Sequence, residues 1–344
     1  MDKPPSHLPE NVLSEAALSE ALLPLVLVVG PTAVGKSDIG IAIAQHFNGE
    51  IISGDSMQVY RGMDIGSAKI PPEQRGGIPH HMIDIIDPDE PFSVADFQRR
   101  VTDLIPQIVA RGRLPIMVGG TGLYVRSITD HYKFSEEAKD LELRARLETK
   151  AAELGPEAFH RLLAEIDPDA AKRIHFNDRK RIIRAMEVYH LTGKRQGEFH
   201  YAASVQKPKY RLAPIALTMD RQELYRRIDQ RAQIMIELGL VEEVKGLLER
   251  GYDPALPSMQ GLGYKEIVNY LRGEYNLSHA LYLIQRDTRH FAKRQYTWFR
   301  RDPRLNWFAV DVMERDFLLE NIYDSIRKAL GGHIENINFG GSLQ

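Results

Sequence analysis

Eight consecutive residues, Gly30-Pro31-Thr32-Ala33-Val34-Gly35-Lys36-Ser37, have the spacing G-x-x-x-x-G-K-[ST] of a phosphate-cradling loop. Glycine at its first and sixth places lets the backbone turn and bring its N–H groups to a polyphosphate. A helix starting there adds partial positive charge. Lys36 is placed to reach the terminal phosphates, and Ser37 to ligate a Mg²⁺ ion. The spacing does not say whether the ligand is a nucleotide or another diphosphate. A second reactive candidate is Asp55, after the short apolar stretch Glu50-Ile51-Ile52-Ser53. If that stretch is a strand, Asp55 lies at its carboxyl end, the edge where open α/β sheets bind ligands. A turn or helix cap is the alternative for Asp55.

These groups need a scaffold to bring them together. Leu25-Val26-Leu27-Val28-Val29 reads as a buried parallel strand feeding the loop, and Ile39, Ile43 and Phe47 share a helical face behind it. Ser93 to Asp96 forms a capping box with Asp in its last place, ahead of a helix carrying Val94, Phe97, Val101, Leu104, Ile105 and Ile108. Leu114 to Val118 is a further strand and ends in Gly119-Gly120-Thr121-Gly122-Leu123-Tyr124. No strand ends in the Mg²⁺-binding Asp that a nucleotide hydrolase of this type uses. From 130 to 207 the strands give way to charged helical patterns, as in Leu141 to Leu154 and Arg179 to Leu191, and the strand pattern returns at Arg211 to Leu217. The expected fold is α/β, a parallel-sheet core like that of P-loop NTPases, formed by 21–129 and 208–330. An all-helical domain is inserted at 130–207, the C-terminal part is helical, and 1–20 and 331–344 are disordered tails.

A net charge of −2 over 344 residues hides an uneven distribution. Residues 172–195 carry eight Lys and Arg against Asp178 and Glu187, and residues 286–304 carry seven against Asp287 and Asp302. Along 278–300, Leu281, Ile284, Thr288, Phe291, Gln295 and Trp298 share one helical stripe, with Arg286, Arg289, Lys293 and Arg300 opposite. Basic segments on an otherwise acidic chain point to a polyanionic partner, against the alternative of solvated helix faces. The chain has no cysteine, which excludes disulfides and thiolate zinc sites and fits a reducing cytoplasm. Neither a signal peptide nor a membrane-length apolar run is expected, so no membrane association. His80 and His81 are adjacent without metal-ligand spacing and read as structural.

Taken together, five stretches resemble the bacterial tRNA dimethylallyltransferases of the tRNA isopentenyltransferase family. They are residues 30–37; Asp55-Ser56-Met57-Gln58-Val59-Tyr60-Arg61-Gly62-Met63-Asp64-Ile65-Gly66; Gly119 to Tyr124; Gly263-Tyr264-Lys265-Glu266; and Lys293-Arg294-Gln295-Tyr296-Thr297-Trp298-Phe299-Arg300. The resemblance spans roughly 24–305. Ser67 and Ile128-Thr129 are small departures from the family pattern. The lack of cysteine sets the chain apart from eukaryotic members with a C-terminal zinc finger.

The resemblance implies transfer of a dimethylallyl group from its diphosphate to N6 of adenosine 37 in tRNAs that read codons starting with U, with Mg²⁺ as cofactor. The loop at 30–37 then holds a diphosphate leaving group, which accounts for the missing metal-binding Asp. By the same resemblance Asp55 is the general base and Thr121 bonds the bridging oxygen. Lys36, Arg126 and a Mg²⁺ on Ser37 stabilise the leaving charge. The implied tRNA contacts are Asp55, Ser56, Met57, Gln58, Lys180, Arg181, Arg184, Gln260, Gly261, Leu262, Gly263, Tyr264, Lys265 and the run Lys293 to Arg300. The partners so implied are a tRNA anticodon stem-loop and dimethylallyl diphosphate, with the enzyme a monomer. The competing readings are a prenyltransferase acting on free adenylate, a P-loop small-molecule kinase and a non-catalytic RNA-binding module.

Overall fold

The computed structural model describes residues 22–131, 140–195 and 208–331. The expectations for the tails 1–20 and 331–344 and for 132–139 and 196–207 lie outside them, Gly331 apart. The described residues form two compact units: 22–91, 101–122 and 209–331 in one, and 92–100, 123–131, 140–195 and 208 in the other. The sequence drew its inserted segment at 130–207.

The first unit is built on six parallel strands: β1 (Pro24–Val29), β2 (Gly49–Ser53), β3 (His80–His81), β4 (Leu114–Gly119), β5 (Arg211–Thr218) and β6 (Asn306–Ala309). Their spatial order is β3-β2-β4-β1-β5-β6. β1 pairs with β4 from Val26↔Ile116 to Val29↔Gly119 and with β5 from Pro24↔Arg211 to Val29↔Ala216. Every residue of β1, β2 and β4 is buried, as strands covered on both faces require. Helix α1 (Lys36–His46) lies against this sheet through Ile39, Ile43 and Ala44. Gly40 is needed for that approach, since a Cβ there would come 2.6 Å from Val118. The edge strand is the His80-His81 pair. The apolar run that follows does not continue it, because Met82 and Asp84 adopt positive φ.

Helix α2 (Val94–Ala110) opens with the expected capping box: Ser93 N donates to Asp96 Oδ2 at 2.9 Å and Asp96 N to Ser93 Oγ at 3.3 Å. In the second unit, α3 (Gly122–Thr129) is followed by α4 (Leu141–Ile166), α5 (Pro168–Arg173) and α6 (Arg179–Thr192). Their core joins Leu147, Phe159, Leu163, Ile174, Ile182 and Met186. α4 kinks at Gly155, which has φ 74° just before Pro156. The carboxylates of Asp140, Asp167 and Asp178 cap α4, α5 and α6 in turn. Back in the first unit come α7 (Arg221–Glu237), α8 (Leu240–Glu249), α9 (Tyr264–Leu271), α10 (Leu277–Phe299) and α11 (Arg315–Leu330). α11 packs Leu318, Ile322, Tyr323, Ile326 and Leu330 into the sheet core.

Candidate active site

The phosphate loop leaves the carboxyl end of β1 as its spacing requires. Gly30 has φ 147°, and a Cβ on it would meet the Leu217 carbonyl at 2.7 Å; Gly35 has φ 94°. Lys36 Nζ donates to Pro31 O at 2.7 Å. Burial, and then the neighbouring Arg231, lower its pKa to about 7, with Asp55 pulling the other way. A cationic side chain held at such cost suits a site that awaits an anion.

The Asp55 and Thr121 loops are locked to each other. Gly54 N donates to Val118 O at 2.8 Å and Thr121 N to Gly54 O at 3.2 Å. A Cβ on Gly119 would sit 2.4 Å from the Gly54 backbone, so this crossing depends on glycine. Ser56 N donates to Thr121 Oγ1 at 3.1 Å, and that hydroxyl lies 3.4 Å from Ser56 Oγ. Asp55 Oδ1 accepts from Met57 N at 2.8 Å, so the carboxylate does cap a turn. It is also half-buried, and its partial removal from water holds its pKa above the usual carboxylate range against the pull of the Met57 N–H, Lys36 and Arg231. The two readings of Asp55 therefore coexist in one side chain.

A cavity of about 410 Å³ gathers these groups. Thr32, Lys36, Ser37, Asp55, Ser56 and Thr121 line it, together with Gln58, Arg231, Gln260, Lys265 and Arg294. Ser37 and Asp55 offer oxygen donors, and among the described residues no group of three or more His, Cys, Asp or Glu could hold a metal. That donor set fits Mg²⁺, which keeps waters and relies on substrate phosphate oxygens alongside one or two protein ligands.

Arg231 is a site residue that the sequence reading missed. It is half-buried, bonds Thr32 Oγ1 and depresses the Lys36 pKa. The signal was present: Leu224, Ile228, Arg231, Ala232 and Met235 fall on one stripe of α7, an arginine where the pattern calls for an apolar residue.

Several residues that the resemblance assigns to RNA have internal partners. Gln58 accepts from Ser53 Oγ at 2.7 Å and donates to Ser67 O at 3.3 Å. Tyr264 is fully buried, and its hydroxyl donates to Glu243 Oε1 at 2.7 Å. That same Glu243 accepts from the backbone N–H groups of Asp64, Ile65 and Gly66. Gln295 and Phe299 are buried, and Tyr296 bonds Thr218 Oγ1 at 3.1 Å. Tyr264, Gln295 and Phe299 are thus buried, while Gln58 is half-buried and lines the cavity. The period of α10 turns Gln295 and Phe299 inward, whereas Lys293, Arg294, Thr297 and Arg300 are exposed. Trp298 is half-buried, and a Cβ on Gly122 would fall 2.2 Å from its indole. Arg289, expected on the cationic face, is paired with Asp229 of α7. In the loop before α9, Gln260 is exposed and donates to Pro254 O at 2.8 Å, while Gly261 faces Met57. Leu262 and Gly263 line the cavity, and Lys265 pairs with Glu266 at 3.3 Å.

Arg126, Lys180, Arg181 and Arg184 belong to the second unit. There Arg126 Nε donates to Asp130 at 2.8 Å, Lys180 is exposed, Arg181 pairs with Asp178 at 3.3 Å and Arg184 with Glu187 at 3.5 Å.

Comparison with known proteins places this geometry. The pattern described as IPP transferase matches residues 58–302, and the one described as isopentenyl transferase matches 23–79. The tRNA dimethylallyltransferase of Heliobacterium modesticaldum is 74% identical over 320 residues, 93% of this chain and 100% of that protein. That of Carboxydothermus hydrogenoformans is 56% identical over 284 residues, 83% of this chain and 91% of that protein. Among solved structures, the tRNA isopentenylpyrophosphate transferase of Bacillus halodurans superposes with a TM-score of 0.69 at 44% identity, covering 91% of this chain and 98% of its own. A eukaryotic dimethylallyltransferase acting on tRNA superposes with a TM-score of 0.74 at 28% identity, covering 91% and 84%.

Proposed function

We propose that this chain, which belongs to the IPP transferase family, transfers a dimethylallyl group from dimethylallyl diphosphate to N6 of adenosine 37 in tRNAs that read codons starting with U. The observation that carries this reading is the meeting, in one cavity, of the phosphate loop with Asp55 and Thr121. N6 attacks C1 of the allylic diphosphate, the N6–C1 bond forms, and the C1–O pair leaves on the diphosphate. N6 then carries an extra proton, which Asp55 accepts. Its raised pKa brings its basicity closer to that task than an exposed carboxylate's. Lys36, Arg231 and the loop N–H groups face the charge that grows on the departing oxygens. The Thr121 hydroxyl, oriented by Ser56, is placed to bond the bridging oxygen. Arg126 is proposed as a further counter-charge to the diphosphate. Mg²⁺ held by Ser37 supplies additional neutralisation of the diphosphate when bound.

The base must leave the anticodon stack to reach a cavity of this kind. Exposed Lys180, Lys293, Arg294 and Arg300 supply cations for the RNA backbone. Such a substrate places the enzyme in the cytoplasm. No helix among the described residues is long and apolar enough to cross a membrane. The deciding experiment supplies labelled dimethylallyl diphosphate or labelled ATP to the protein with unmodified tRNA, and separately with free AMP. Label passing from the prenyl compound to RNA alone is expected. Label on AMP instead favours the free-nucleotide reading, and phosphoryl transfer from ATP favours a kinase.

A further inference from the structure

Gln295 lies in the Lys293–Arg300 stretch, yet it is only 5% exposed and both ends of its amide are engaged inside the protein. Oε1 accepts from Thr32 N at 2.8 Å, and Nε2 donates to Gly120 O at 2.9 Å. Thr32 is the third residue of the phosphate loop, and Gly120 directly precedes Thr121. One side chain from α10 thus ties together two loops that leave neighbouring strands, β1 and β4. A Cβ on Gly120 would come 2.2 Å from Nε2, so glycine at that position is what admits the amide. The chemistry of the tie is specific. Glutamine alone offers an acceptor for an N–H and a donor for a C=O at this length; glutamate lacks the donor and methionine lacks both.

We propose that Gln295 is a positioning residue, which sets the phosphate loop and the Thr121 loop in one register so that both address the same breaking C1–O bond. The assignment rests on the reaction proposed above. It distinguishes Gln295 from its exposed neighbours Lys293, Arg294 and Thr297, which are free to meet RNA on the same helix.

The test uses the full chain with Gln295→Met, which keeps the side-chain length and removes both bonds. Prenyl transfer is measured with dimethylallyl diphosphate and tRNA varied separately, tRNA-binding sites are counted by titration, and inorganic diphosphate binding is measured alone. Per tRNA-binding site, kcat/KM for dimethylallyl diphosphate is expected to fall roughly 10- to 100-fold, the size expected for two buried hydrogen bonds. Affinity for inorganic diphosphate falls with it, while tRNA affinity stays within about twofold of wild type. Gly120→Ala crowds the same amide and is expected to mimic this split. The double variant should lose no more than the worse single, because both act through one contact. Gly120→Ala carries the test if Gln295→Met does not fold, because Gln295→Glu would set a buried carboxylate oxygen against the Gly120 carbonyl and lose at least as much. A purely structural role would lower the number of tRNA-binding sites and leave kcat/KM per site unchanged, which overturns the proposal. Lost tRNA affinity with unchanged diphosphate affinity overturns it as well. If the wild type transfers no prenyl group, the reaction is wrong, and the diphosphate affinities still decide the positioning role.

Discussion

Asp55 caps a turn and faces the cavity with the same carboxyl group. Burial raises its pKa, so between the unfolded and folded values the folded state holds a proton that the unfolded chain has lost. Stability from this group therefore falls as pH rises through that window, and at neutral pH the charged carboxylate costs stability. Asp55→Asn removes that cost and keeps an acceptor for Met57 N. The expected outcome is a thermal midpoint at pH 7 equal to or above wild type, near-normal binding of both substrates, and single-turnover transfer slowed 10²–10⁴-fold, roughly the contribution of a general base. A folded variant that retains more than about a tenth of the wild-type rate contradicts the base assignment. Asp55 was legible because it follows an apolar stretch beside a phosphate loop. Arg231 interrupts an apolar stripe visibly enough, but what makes it a site residue is Thr32, 199 residues away in the chain.

Helix α10 shows where periodicity stops being informative. It separates inward from outward residues, and Ile284, Ala292, Gln295 and Phe299 are indeed buried. It cannot tell which outward cations are already paired. Arg289 has Asp229 of α7 as its partner, whereas Lys293 is exposed. Lys293→Ala is accordingly expected to reduce the slope of log affinity for tRNA against log salt by about 0.7–0.9, and Arg289→Ala to leave that slope nearly unchanged while lowering the melting temperature. Equal slope losses in the two variants would restore a continuous cationic face. At the other edge of the sheet, buried Glu50 joins β2 to β3 through His81 Nε2 at 2.7 Å and to the α2–β4 turn through Arg111 Nη2 at 2.7 Å. Burial alone would raise its pKa, but the bonds from Arg111 and His81 outweigh it and the net shift is downward. Its stabilisation is present above the unfolded carboxylate pKa and lost as pH falls through the depressed folded value. Urea titrations of wild type and Glu50→Gln from pH 6 to pH 3 should show a stability gap that closes on acidification; a constant gap would mean that charge plays no part.

The two basic segments fall in different compact units: residues 172–195 in the helical one and 286–304 in the sheet-bearing one. If both meet the same polyanion, Lys180→Ala and Lys293→Ala should each lower the salt slope for tRNA, and the double variant should lower it by the sum. Binding of dimethylallyl diphosphate without RNA should not change. A double variant no worse than the singles would confine the RNA to one unit. Each unit has its own core, the sheet with α1 and α11 in one and the α4–α6 cluster in the other, so neither substitution touches a buried contact that the other depends on.

Local chemistry made much of this protein readable from its sequence. A continuous β-branched run must be a covered strand, a G-x-x-x-x-G-K-[ST] run must turn its N–H groups toward phosphate, and Ser93 with Asp96 must cap a helix, because each depends only on neighbours in the chain. The order of the strands, the crossing of Gly119 over Gly54 and the convergence of Thr32, Gln295 and Gly120 come from residues far apart in sequence, which only the packed sheet brings within hydrogen-bond reach. Whether a polar residue reads RNA or holds the core together is of this second kind. Tyr264 and Gln295 have the composition of a binding surface, and burial, set by what folds over them, gives them internal partners.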